Sequence, residues 1–311
     1  MSLFPQPILT NGATHSAQQF RMLVRDLSRG AEGVTEGDDL KVTQRSTPGA
    51  GITVSDGSGV IKGRVNAYQG HYAVCNTGAV NVDIASTSAS PRSDMLIVRV
   101  EDPEYEGTLN PATQAVTYFQ VISGVSSSAT AIPDGRTGIP LARIDIPGST
   151  STITNAMITD LRKVANPRRD SLQLIQSPST LSTDISGTSG TFSNFSTASG
   201  WTVAIPDWAT TAILSLGVGQ LRYNTAAYFG QIRATFGSSL TVQPVNLDDN
   251  QSGTRRGTVI FGDTLTLPDS YRGTNQTLRF QACGLNPNPG KVGVDGSTTL
   301  MAGIQFVEAP R

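Results

Sequence analysis

From Trp201 onward, apolar residues return at every second position. Trp201, Val203 and Ile205 begin the pattern, and Ala212, Leu214, Leu216 and Val218 continue it. Tyr228, Ile232, Ala234 and Phe236 follow with one gap at Gly230, then Val259 and Phe261, Leu265 and Leu267, Leu278, Phe280 and Ala282, and finally Leu300, Ala302, Ile304 and Phe306. A period of two buries one face of a strand and wets the other, whereas an amphipathic helix needs a period of 3.6. Turn residues at 286–290 and 295–297 separate the runs. The spacing predicts an antiparallel β-sandwich of jelly-roll type over residues 201–311, with Trp201 and Tyr228 in its core.

The first half reads differently at its start. In Ser16–Arg29 the residues Ala17, Phe20, Leu23, Val24 and Leu27 recur at three and four positions, Ser16 and Gln19 fit a capping box, and Gly30 supplies a stop. This predicts one helix, near residues 16–29, packed by its apolar stripe on a sheet of its own domain. Then the period changes to two, with Leu40 and Val42, Ile52 and Val54, and Val80, Val82 and Ile84. The denser run Met95–Val98 with Val100 is expected to be the innermost strand. Turn signals stand at 48–51, 56–59, 108–111 and 134–138.

Charge, Asn and Pro cluster in KVANPRRD at 163–170, and the following residues to Gly200 are mostly Ser, Thr and Gly. Leu181, Ile185, Phe192 and Phe195 are scattered anchors there. The expected architecture is therefore mainly β. A β-rich module with one helix occupies 1–165, a linker with lead-in strands 166–200, and an antiparallel jelly-roll-like sandwich 201–311.

Several classes of function are disfavoured by composition. A formal charge of −1 from 23 Lys+Arg and 24 Asp+Glu offers no excess positive field for nucleic acid. The start, MSLFPQPILTNG, lacks the positive end and apolar run of a signal peptide, and no stretch reaches the ~18 apolar residues of a membrane span. Synthesis in a cytosol without membrane insertion is expected. Charged residues are only 15% of the chain, so the surface gains little solubility from self-repulsion, and part of it is expected to be covered by other subunits. Cys75 and Cys283 are too few for a zinc cluster and read as two buried free thiols.

Candidates for chemistry are sparse. His15 precedes the helix and His71 stands at a strand start after Gly70; neither has a metal-ligand partner at a useful spacing, and both read as surface or turn residues. No nucleophile elbow, phosphate loop or dinucleotide fingerprint occurs. Asp102, Glu104 and Glu106 in DPEYEG, and Asp248 with Asp249 in LDDNQSG, are carboxylate groups to weigh for glycan cleavage or calcium, yet both segments read as solvated turns. No catalytic, cofactor-binding or metal-binding residue is expected. Trp208, Tyr223 and Tyr271 flank turns and are the candidate receptor or glycan contacts, since exposed rings can stack on sugar faces. Arg92 with Asp94, and Thr159 and Asp160 with Arg162, are expected to clamp the chain by charge-assisted hydrogen bonds.

An ordered series of segments carries a family resemblance: DLKVTQRSTPGAGITVSDGSGVIKG at 39–63, SPRSDMLIVRVEDPEYEG at 90–107 and IPLARIDIPGSTSTITNAMITDLRKVANPR at 139–168. Over roughly the first 165 residues the chain resembles minor tail and baseplate proteins of long-tailed bacteriophages, especially those infecting actinobacteria. The resemblance implies a virion protein of the tail tip, with a β-rich, usually trimeric attachment module. That module would join copies of itself and other phage tail proteins and carry a C-terminal domain able to meet a host cell-surface glycan. A tail-borne glycan depolymerase and a capsid-decorating or head-fibre protein are the competing readings.

Overall fold

The computed structural model describes residues 4, 7, 8, 10–178, 184–196, 199–285 and 289–311. Leu181, expected as an anchor, and Asn286, at the start of an expected turn, lie outside them. The chain forms two compact units, one from residues up to Pro167 together with Ala309–Arg311, the other Arg168–Glu308. The stretch 166–200, read from sequence as linker and lead-in, thus contributes its strands to the second unit.

In the first unit the helix, α1, spans Ala17–Leu27 and is closed by the expected capping box. The Gln19 amide donates to the Ser16 hydroxyl at 3.2 Å, and the Gln19 side chain accepts from the Ser16 amide at 2.9 Å. Its apolar stripe is not its buried side. Gln19 and Arg21 are buried, whereas Phe20 is 47% and Leu27 73% exposed. The reason is Arg21, whose guanidinium donates to the Gln69 carbonyl, Glu104 and the Tyr105 hydroxyl and lies 3.3 Å from Asp102. A charge so well partnered is stable under the helix, and docking through it leaves part of the stripe in solvent.

The strands of this unit are β1 (Gly33–Val34), β2 (Val42–Gln44), β3 (Gly51–Val54), β4 (Gly57–Lys62) and β5 (His71–Asn76). They continue with β6 (Val80–Asp83), β7 (Arg92–Val100), β8 (Thr117–Val125), β9 (Gly138–Ile146) and β10 (Ile158–Asp160). Three antiparallel sheets result, ordered β1-β4-β5, β2-β3-β6 and β10-β9-β7-β8. The run Met95–Val98 lies in the interior strand β7 as its density predicts. Leu96 and Val98 enter the main core, while Met95 and Ile97 pack on the other face with Leu161. A strand covered on both faces has no reason to alternate.

Arg and carboxylate two residues apart share a strand face, and the first unit uses that spacing repeatedly. Arg92 holds Asp94 by two bonds of 2.8 Å, and Arg143 grips Asp145 with its Nε at 2.9 Å. Arg162 pairs with Asp160 and also donates to the carbonyls of Gly37, Asp39 and Arg311. Thr159 pairs in register with Arg143. Cys75 corrects one expectation: it is exposed, because β5 turns Val74 inward and its next residue outward. Cys283 is a buried free thiol.

The second unit contains β11 (Arg169–Gln176), β12 (Ser193–Asn194), β13 (Gly200–Ala204), β14 (Thr211–Asn224), β15 (Tyr228–Phe236) and β16 (Leu240–Thr241). It ends with β17 (Val245–Asp249), β18 (Arg255–Thr266), β19 (Asn275–Gly284), β20 (Lys291–Gly293) and β21 (Thr299–Val307). One sheet runs β11-β21-β14-β18, with β20 beside β14. In the other, β19 pairs with β15 along one edge and with β13 and β12 in succession along its other edge, and β17 and β16 follow each other along the free edge of β15. In chain order the strands pass back and forth between the two sheets, with β12–β13, β15–β17 and β20–β21 the in-sheet runs. That is a jelly-roll sandwich, mainly antiparallel β as the alternation predicts.

Its core unites both sheets. Phe195, Phe236, Phe280, Phe306 and Tyr228 are at most 2% exposed. Phe280 sits edge-on to Trp201 and Phe261, with centroids 6.0 and 5.9 Å away. Each such side chain contributes about 1.5–3 kcal/mol on burial. Strand β14 is long enough to serve three partners, β18 on one edge and β21 then β20 on the other, and its register with β18 shifts between Val218 and Leu221, where Gln220 adopts φ 58°.

Candidate functional site

The three rings selected as sugar contacts do not form a stacking surface. Tyr223 is 6% and Tyr271 4% exposed. Tyr223 packs edge-on against Tyr228 at 6.1 Å and beneath the Arg255 guanidinium at 5.5 Å. Burial, then the charge of Asp249, pushes its phenol pKa up. Tyr271 belongs to the short turn 269–271, and its hydroxyl oxygen accepts from the Ser239 amide at 2.8 Å. A turn residue with a large ring can close over the core it borders, and sequence position alone does not separate that from exposure. Trp208 is half-buried against the same core with Arg168 5.5 Å above its ring.

The carboxylates are likewise engaged. Asp102 accepts from the Tyr72 hydroxyl at 2.7 Å and faces Arg21, Glu104 bonds the same arginine, and Glu106 accepts from the Thr137 amide. Asp248 and Asp249 lie in β17 instead of a solvated turn, paired with Phe229 and Tyr228. As neighbours in a strand they point to opposite faces, and Asp249 is bound to Arg255 at 2.9 Å. Among the described residues no group of three or more His, Cys, Asp or Glu side chains is placed to hold a metal. His15 is half-buried with its ring edge-on to Phe20, and His71 is buried at 3% exposure, where a surface or turn position was expected.

The feature the alternation did not single out is the outer face of the β11-β21-β14-β18 sheet. Of the five large apolar residues exposed among the described residues of the second unit, Ile175, Ile213, Phe229, Ile260 and Met301, four belong to this face. The ladder sets Ile175 opposite Met301, Met301 opposite Gly217, and Gly217 opposite Ile260, one row across four strands. The next rows read Gln173, Gly303, Ser215, Gly262 and Ser171, Gln305, Ile213, Thr264. None of these twelve positions is charged.

The face is also shallow. A Cβ on Gly217 would lie 2.9 Å from the end of Met301, and one on Gly303 would lie 3.1 Å from the Gln173 amide, so each glycine lets its neighbour's side chain lie across it. Glycine inside a strand sacrifices packing and propensity, and it commonly marks a place where another chain comes close. A sequence signal existed: Ile175, Ile213, Ile260 and Met301 are apolar at the parity that the rest of each strand gives to polar residues. What aligned them was the cross-strand register.

No protein family matches the chain, and no curated protein matches it. Similar solved structures include the VP2 subviral particle of infectious bursal disease virus, at 11% identity and TM-score 0.26 over 95% of this chain and 78% of that one. The Gx strain of the same virus gives 10% identity and TM-score 0.26 over 93% and 76% of the two chains. A Cry1Da tryptic core variant from Bacillus thuringiensis gives 10% and 0.22 over 98% and 57%. TM-scores this low assign this chain neither a fold nor an activity. Among the described residues no helix is long and apolar enough to cross a membrane.

Proposed function

We propose that this chain is a non-catalytic structural protein of a virion, a component of a bacteriophage tail tip or baseplate, which self-associates through the outer face of its jelly-roll sheet. The uncharged row Ile175, Met301, Gly217, Ile260 carries the reading. A surface that meets its own copy about a symmetry axis brings identical side chains near one another, and charged residues there oppose like charge. Twelve neighbouring positions free of charge, with Ile260 76% and Ile175 73% exposed, suit such a contact better than they suit solvent. The tail assignment is supported by the ordered segments at 39–63, 90–107 and 139–168, and a trimer is what that resemblance implies.

Analytical ultracentrifugation of the full chain tests the association. The wild type is expected to sediment as a trimer at micromolar concentration and Ile260→Lys as a folded monomer, with unchanged circular dichroism. A monomeric wild type overturns the self-association. Gold-labelled antibody on virions tests the location: label at the tail tip is the expected outcome, and label on the head transfers the protein to the capsid-decorating class.

A further inference from the structure

We infer that the cleft between α1 and the start of β5 is a binding site for a small oxyanion, a phosphate or carboxylate group. A cavity of about 200 Å³ opens there, lined by Arg25, Lys62, Gly63, Asn66, Ala67, Gly70 and His71. His71 is 3% exposed, and neither of its ring nitrogens has a hydrogen-bond partner among the described residues. A neutral imidazole carries one donor and one acceptor, and its cation carries two donors, so in either state the ring is left with buried groups that need a partner. Because buried polar groups are nearly always satisfied, two orphaned nitrogens lining a cavity point to something that fills it.

The charges around the cavity indicate its sign. Lys62 pairs in register with His71 across the β4–β5 ladder, so both side chains leave on the same face. Arg25 comes from α1, and among the described residues its guanidinium makes one hydrogen bond, a weak one to the Met22 sulfur at 3.9 Å. Neither cation has an ion-pair partner among the described residues. Three acids of this unit are engaged by other arginines: Glu32 binds Arg64 through both oxygens at 2.7 and 2.8 Å, and Asp102 and Glu104 bind Arg21. Two unpaired cations converging with an unsatisfied donor favour an acceptor-only, negatively charged guest. The room exceeds the ~30 Å³ share of one water several times over, enough for an oxyanion borne by a larger acidic molecule.

This site is independent of the sheet face. The chain has two histidines, so ring signals in a proton–carbon spectrum of the full protein resolve His71 from His15, and His71→Gln assigns them. Inorganic phosphate, acetate, glucuronate and glucose 6-phosphate are titrated at an ionic strength held with sodium chloride. The His71 signal is expected to shift saturably while His15 does not. A response to phosphate and acetate alone identifies a free-ion site; a tighter response to the sugar acids identifies an acidic glycan. Lys62→Gln and Arg25→Gln lie at exposed positions that fold readily, and each should weaken binding about tenfold. A His71 signal that sodium chloride moves equally, or that phosphate leaves in place, overturns the site. So does a folded double variant that titrates like the parent.

Discussion

At the scale of the residue, Arg162 shows what a single side chain can organise. Its side chain is fully buried, and it satisfies the carbonyls of Gly37, Asp39 and Arg311 while holding Asp160. Arg162→Met leaves those acceptors orphaned and should destabilise the first unit by about 3 kcal/mol, measured by urea unfolding. Asp145 makes a second prediction. Hydrogen bonding from Arg143 holds its carboxyl below the usual carboxylate range, opposed by burial and aided by a bond from Ser93. The stabilisation is therefore present above the ordinary value of 3.8 and is lost as pH falls through the lower folded value. Asp145→Asn should flatten the fall in melting temperature below about pH 4 and leave the slope near neutrality unchanged. Arg–x–Asp spacing was legible in the sequence as a clamp. The carbonyls that Arg162 also binds were not, since they come from residues up to 149 positions away.

Elements show where local rules hold and where packing overrules them. Capping box, length and stop of α1 follow from residues 16–30, because each is a contact within one helical turn. Which side of α1 is buried was decided by Asp102, Glu104 and Tyr105, distant residues that give Arg21 its partners. Strand β1 offers a sharper test. Gly33 has φ 140°, and a Cβ there would lie 2.0 Å from the Lys163 carbonyl oxygen, while Val34 exchanges backbone bonds with Lys163 and Ala165. Gly33→Ala is expected to cost more than about 2 kcal/mol by strain and by loss of that crossing, read as a lower melting temperature.

For the whole molecule, each unit has its own core, so truncations should act on the unit that holds them. Phe280→Ala removes the ring between Trp201 and Phe261 and should destabilise the second unit by about 3–5 kcal/mol by urea unfolding, whereas Ile260→Lys should change association and leave that transition in place. The alternation from Trp201 to Phe306 by itself determined a β-sandwich and named most of its core, because a period of two is a property of the single strand. The burial of Tyr223, Tyr271 and His71, and the exposure of Cys75 and Phe20, were left to the tertiary structure. So was the alignment of Ile175, Met301, Gly217 and Ile260 into one row. These depend on which strands become neighbours and in what register, and pairing between residues distant in sequence leaves no local trace in the chain.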